Sequence, residues 1–96
     1  MFVAVILDLG NEDSLKAVTG LLFRYGFRQV QKGVFESTAV DEKRLSRLKV
    51  DLDRATDFYD SIRFYQYPVE GTVAITSLNE KRWRRVTIRD REEERT

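Results

Sequence analysis

The chain opens on an apolar run, Phe2-Val3-Ala4-Val5-Ile6-Leu7, which leads into a single acid, Asp8, and then Leu9 and Gly10. A run of this length, rich in Val and Ile and closed by Gly, predicts a buried strand. Apolar side chains at both parities predict that both of its faces are covered. The period then changes. Asn11 can cap a helix, Glu12 and Asp13 suit its first turn, and Leu15, Val18, Leu22 and Tyr25 fall at helical spacing. Gly26 is a good terminator, so a helix is expected over about 12–25.

Residues 27–36 read as one strand, with Arg28, Val30, Lys32 and Val34 on one face and Gln29, Gln31, Gly33 and Phe35 on the other. Gly33 inside it suggests a bulge or a close backbone approach. Ser37 and Thr38 make a turn. Thr38 or Asp41 can cap a second helix, about 41–54, whose inward stripe is Leu45, Leu48 and Leu52. Its Lys43, Arg44, Arg47, Lys49 and Arg54 read as a solvated outer face. The clearest alternation is Asp60 to Tyr67: Ile62 and Phe64 point one way, Arg63, Tyr65 and Tyr67 the other, and Pro68 is expected to end the strand. Shorter strands are expected at Thr72–Ser77 and Val86–Arg89, joined by a turn at Asn79-Glu80. A charged, frayed tail follows over 91–96.

This order predicts one α+β domain over residues 1–90. Its plan is ferredoxin-like, βαββαβ with a compressed middle, plus a short additional C-terminal strand. Two helices would cover one sheet face. The other face would carry Phe35, Tyr65 and Tyr67, and an apolar, aromatic sheet face of this kind predicts a protein interface. The expected assembly is a homodimer with its sheets packed face to face, Val86 and Ile88 of the last strand included.

Composition narrows the chemistry. The 96 residues are 42% hydrophobic, which suits one packed domain, marginal as a monomer. Seventeen basic residues face 16 acidic ones, so the net charge of +1 points to no partner by itself. Cys and His are both absent, which excludes disulfides, thiolate metal sites, and Ser-His or Cys-His nucleophile pairs. Any metal would be a hard cation on carboxylates. No stretch approaches about 18 consecutive apolar residues and no basic segment precedes the first run, so no membrane span or signal peptide is expected, and the cytoplasm is the expected location.

Two features carry candidate chemistry. Asp8 stands where a sheet meets its loops. One carboxylate holds a catalytic metal poorly, but near a two-fold axis it would meet its own copy. The two could then share Mg2+ and activate water against a phosphodiester. The plainer alternative is that Asp8 caps the first helix or accepts loop hydrogen bonds. The second feature is Lys81, Arg82, Arg84, Arg85, Arg89 and Arg91 around Trp83, a density of arginine that suits a phosphate backbone. The alternative is an exposed turn whose arginines pair with Glu92, Glu93 and Glu94. Arg24, Arg28 and Lys32 are weaker versions of the same signal, as is Lys16. Ser14, Ser37 and Thr38 read as capping or turn residues.

Taken in order, these pieces resemble a known family. They are the opening strand ending in Asp8, the helix end Leu22-Phe23-Arg24-Tyr25-Gly26-Phe27, the segment Val30-Gln31-Lys32-Gly33-Val34-Phe35-Glu36, and Asp60-Ser61-Ile62-Arg63-Phe64-Tyr65. Over about residues 1–90 the chain is similar to the small CRISPR-associated adaptation protein Cas2, partner of the Cas1 integrase. The resemblance implies a ferredoxin-like dimer, with the strand Val86 to Arg89 exchanged onto the partner's sheet. It also implies capture of short DNA duplexes for spacer acquisition together with Cas1. Some members resemble magnesium-dependent endonucleases on single-stranded RNA or double-stranded DNA, with the strand-end aspartate as ligand, the position of Asp8 here. Glu12 and Asp13 stand where the family often carries arginines, with only Lys16 following, and this favours a scaffold role over catalysis. The alternative family is a toxin-type ribonuclease resembling virulence-associated protein D.

Overall fold

Local signals set both helices. The computed structural model describes residues 1–69 and 71–89, with the side chains of all of these except residues 68 and 69. Helix α1 spans Glu12–Arg24, and the Asn11 side chain accepts a hydrogen bond from the Ser14 N–H at 2.8 Å. It ends at Gly26, whose φ of +86° lies in the left-handed region glycine tolerates. Helix α2 spans Glu42–Ala55, and the Asp41 side chain accepts from the Arg44 N–H at 2.8 Å. Each cap satisfies a backbone donor that the first turn leaves without a partner.

Six strands accompany them: β1 Phe2–Asp8, β2 Arg28–Gln31, β3 Val34–Ser37, β4 Ser61–Val69, β5 Thr72–Asn79 and β6 Arg82–Arg89. They form one antiparallel sheet in the order β2-β3-β1-β4-β5-β6. The first four are arranged compatibly with a ferredoxin-like βαββαβ unit, and β5 and β6 extend the sheet beyond β4. The expected single strand over 27–36 is therefore a hairpin. It reverses at Lys32-Gly33, where Gly33 adopts φ +72°. The Gly33 carbonyl accepts from the Leu7 N–H at 2.8 Å. A Cβ on Gly33 would come within 3.2 Å of the Leu7 carbonyl oxygen, so this turn needs glycine for its dihedral and for its closeness to β1.

β4 also differs from expectation. It runs through Pro68 to Val69, with an irregularity in its pairing to β5 between Gln66 and Val69, and proline is tolerated at such an interruption of the ladder. The last strand is longer than expected, eight residues from Arg82 to Arg89, and it pairs with β5 of its own chain. Glu80 and Lys81 both take positive φ (52° and 59°) to make the tight connection. The charged tail expected over 91–96 lies outside the described residues.

The core lies between one sheet face and the two helices. Val3 and Val5 of β1, Phe35 of β3, Ile62 and Phe64 of β4 and Leu78 of β5 pack with Val18 and Leu22 of α1 and Leu45, Leu48 and Leu52 of α2. Phe35 is only 1% exposed and meets Phe23 edge-on, with ring centroids 5.8 Å apart. It is thus a core residue, which corrects its expected place on an interface. Strand alternation leaves Phe2, Ala4, Ile6 and Asp8 on the opposite face of β1. Within one chain that face is open, with Ile6 exposed, so the first strand is fully covered on one side only.

Candidate nucleic-acid interface on the open sheet face

Strand register arranges the open face in rows. Asp8 lies opposite Ser61, Ser61 opposite Asn79, and Asn79 opposite Arg82. The next row is Ile6, Arg63, Ser77 and Arg84. Beyond it come Ala4, Tyr65, Ile75 and Val86, and then Phe2 and Tyr67 on β1 and β4 with Val73 and Ile88 on β5 and β6. The face is thus divided across its strands. The end where β1 finishes is polar and basic; the other end is apolar and aromatic.

At the basic end, a groove of about 820 Å³ is lined by Phe58, Arg63, Ser77, Asn79, Glu80, Arg82 and Arg84, and it reaches Ile75, Val86 and Ile88. Arg63 also lies 5.7 Å from the centroid of the Tyr65 ring. At the apolar end, Tyr67, Val86 and Ile88 are each about half exposed, and the Phe2 and Tyr67 rings are in contact at 5.5 Å.

Asp8 is exposed at the margin of the basic end. Arg63 is its diagonal neighbour across the β1–β4 pair, a relation of roughly 7–8 Å in an antiparallel ladder. Arg82 is three strands away, roughly 14 Å at the usual strand spacing. Lys32, on the β2–β3 turn, borders the same depression as Asp8. Among the described residues no three acidic side chains come together as metal ligands. The donor set of one chain, a single carboxylate beside the Ser61 hydroxyl, does not fit Mg2+.

The other expected basic residues do not converge. Lys16 and Arg24 lie on the exposed surface of α1. Arg28 lies opposite Glu36 in the β2–β3 ladder, near the far end of the sheet. The arginine cluster splits by strand alternation: Arg82 and Arg84 face the open side, whereas Arg85 sits on the helix side opposite Thr76. Burial lowers the pKa of Lys49 on α2, and the charge of Arg85 lowers it further against the opposing effect of Glu42. Trp83 belongs to the helix side too. Its ring packs against Phe64 at 6.1 Å, and its Nε1–H donates to Asp53 Oδ1 at 3.3 Å.

Two site residues escape a reading of the sequence. Arg63 stands in the middle of the basic end, and its alternation with Ile62 and Phe64 was the available signal. Asp60 holds the site together from below. It is fully buried, accepting from the Gly10 N–H at 2.7 Å and the Asp57 N–H at 2.9 Å. Burial alone would raise its pKa. The Gly10 and Asp57 amides, the Ser14 hydroxyl and the charge of Lys81 outweigh that and hold it below the ordinary aspartate value. Asp60 therefore fixes the loop after Asp8 to the start of β4.

The family model described as CRISPR associated protein Cas2 matches residues 1–72, from β1 to the first residue of β5. The chain belongs to this family. Searches among curated proteins and among solved structures return no match. Cas2 membership gives the chain a CRISPR-associated role. No helix among the described residues is long and apolar enough to cross a membrane.

Proposed function

We propose that this Cas2-family chain is a dimeric scaffold of spacer acquisition, which binds duplex DNA and bridges the Cas1 integrase. The observation that carries the proposal is the division of the open face. Tyr65, Tyr67, Val86 and Ile88 offer an apolar surface that a second copy can cover, while Arg63, Arg82 and Arg84 leave a cationic surface beside it. A two-fold pairing through the apolar end repeats the basic end at both extremities of the dimer. Paired arginine patches on a rigid sheet suit phosphates and read no sequence.

Size-exclusion chromatography with Cas1 and a short DNA duplex tests the proposal. A ternary complex at moderate salt is expected, and its absence would refute the bridging role. The strand register sharpens the DNA arm. Arg84→Glu should weaken duplex binding and flatten its salt dependence, whereas Arg85→Glu, on the helix side, should change both less.

The second reading is a magnesium-dependent endonuclease, favoured by the exposure of Asp8 on the open face, and it needs a pairing other than the one through the apolar end, which leaves Asp8 at the extremities. It requires the two Asp8 carboxylates to lie beside the two-fold axis, since one chain supplies too few ligands. Any phosphodiester cleavage by the purified protein should then vanish in Asp8→Ala. Cleavage that survives the change removes Asp8 from the reaction.

A further inference from the structure

The connection from α2 to β4 runs through Asp57-Phe58-Tyr59-Asp60, and it is tightly built. The Asp57 side chain accepts from the Tyr59 N–H at 2.9 Å, and its carbonyl accepts from the Asp60 N–H at 3.2 Å. The buried Asp60 carboxylate ties the loop to Gly10 and back to Asp57. Gly10 lets it approach: a Cβ there would lie 3.3 Å from Tyr59 Cβ. This ordered backbone nevertheless turns two aromatic rings outward. Phe58 is 52% exposed and Tyr59 81% exposed, and the rings meet edge to face at 5.6 Å. The Tyr59 hydroxyl makes no hydrogen bond among the described residues.

A single exposed ring needs no explanation, but two adjacent rings held by a buried carboxylate do. Their position supplies one. Phe58 lines the groove together with Arg63, Arg82, Arg84, Ser77, Asn79 and Glu80, at the end away from Val86 and Ile88. Exposed aromatic faces next to a cationic groove are the two components of single-strand recognition. The rings stack on bases and the cations follow the backbone. A duplex interior offers phosphates but keeps its bases stacked on one another, so it would use the arginines and leave the rings idle.

We propose that Phe58 and Tyr59 form a stacking platform for unpaired nucleotides, with Arg63, Arg82 and Arg84 holding the adjoining phosphates. The proposal rests on the nucleic-acid role given above and narrows it: the preferred ligand is a strand with unpaired bases, either free or as the end of a duplex.

The test is fluorescence anisotropy at fixed salt with two probes, a labelled oligothymidylate and a blunt duplex of the same length. Both rings are exposed, so Phe58→Ala and Tyr59→Ala should keep the fold, with far-UV circular dichroism as the check. The double variant should bind the single strand about tenfold to a hundredfold more weakly, the range a stacked base is worth. Its affinity for the blunt duplex should stay within about twofold. Arg63→Gln should weaken both. Unchanged single-strand affinity in the double variant would overturn the platform, even if Arg84→Glu still weakens duplex binding and so upholds the scaffold reading. Loss of Cas1 assembly with single-strand affinity intact would also overturn it and reassign the rings to a protein contact. Failure of the wild type to bind either probe would refute the platform and the duplex reading together.

Discussion

Replacing Asp60 with Asn tests whether the loop at the end of β1 is held by a charge. The two side chains are nearly isosteric, so the change removes charge and half of the acceptors while keeping volume. In the wild type the carboxylate accepts from two backbone amides, at 2.7 and 2.9 Å, at zero exposure. A hydrogen bond to a charged group is worth about 1.5–3 kcal/mol, and a buried donor left alone costs about 1–3 kcal/mol. An asparagine can satisfy one amide with its oxygen but turns an NH2 group toward the other. The expected loss is therefore about 2–4 kcal/mol, a large part of the roughly 5–15 kcal/mol available to a domain. In a domain of this size that corresponds to roughly 10–25 °C in Tm.

Acidity supplies a second readout of the same substitution. Because the folded-state pKa of Asp60 is depressed, its contribution is complete above the unfolded aspartate value, near 3.8, and is lost as pH falls through the folded value. Urea unfolding followed by far-UV circular dichroism should show a wide gap between wild type and Asp60→Asn at pH 7, and a narrower one at pH 3. Equal midpoints at pH 7, or a gap that does not narrow in acid, would refute this account of the loop.

Three further outcomes are expected. Gly33→Ala should destabilise by about 1–2 kcal/mol from its positive φ alone, and by more from the 3.2 Å approach to the Leu7 carbonyl, as read from thermal melts. Thr76→Val should be neutral or stabilising, because the Thr76 hydroxyl is buried with no hydrogen-bond partner among the described residues; a loss of more than about 1 kcal/mol in urea would show that the hydroxyl has a partner. Ile88→Asp places a charge in the apolar end of the open face, and on the proposed pairing sedimentation should find the wild type dimeric and the variant monomeric at one concentration; two equal masses would refute that pairing.

Strong local signals were legible in the sequence. Asn11 marked the first helix start, Thr38 or Asp41 was open for the second and Asp41 proves to be the cap, and the leucine stripe of α2 and the alternation of β4 fixed which sides face the core. The β2–β3 hairpin was not legible. Its arms are four residues each, all of β2 is exposed, and an apolar-polar pattern had nothing to report there. Gly33 inside a strand pattern signals a bulge or a close backbone approach; the close approach to Leu7 is there, but in place of a bulge its positive φ serves a reversal. With one strand in place of two, nothing fixed the direction of Phe35, and it was placed on the open face. The arginine cluster suggests either a phosphate-binding group or an exposed turn, and its composition hides the strand period that divides it between two faces. In β6 the alternation of Trp83 and Arg85 against Arg84, Val86 and Ile88 decides which arginines act together. Asp60 gave no sign of burial, since one of the two amides that retain it, that of Gly10, lies fifty residues earlier in the chain.

The β5–β6 hairpin lies almost wholly beyond the segment that the family model covers, and it joins the sheet through β4 alone. It also carries Trp83, the only indole in the chain, clamped between Phe64 and Asp53 while Lys81 reaches Asp53 and the Thr56 carbonyl. Tryptophan emission is therefore an optical reporter of the docking of this appended hairpin onto β4 and α2. Emission and far-UV ellipticity will trace one unfolding curve only if the appendage and the βαββαβ body melt as a single cooperative unit.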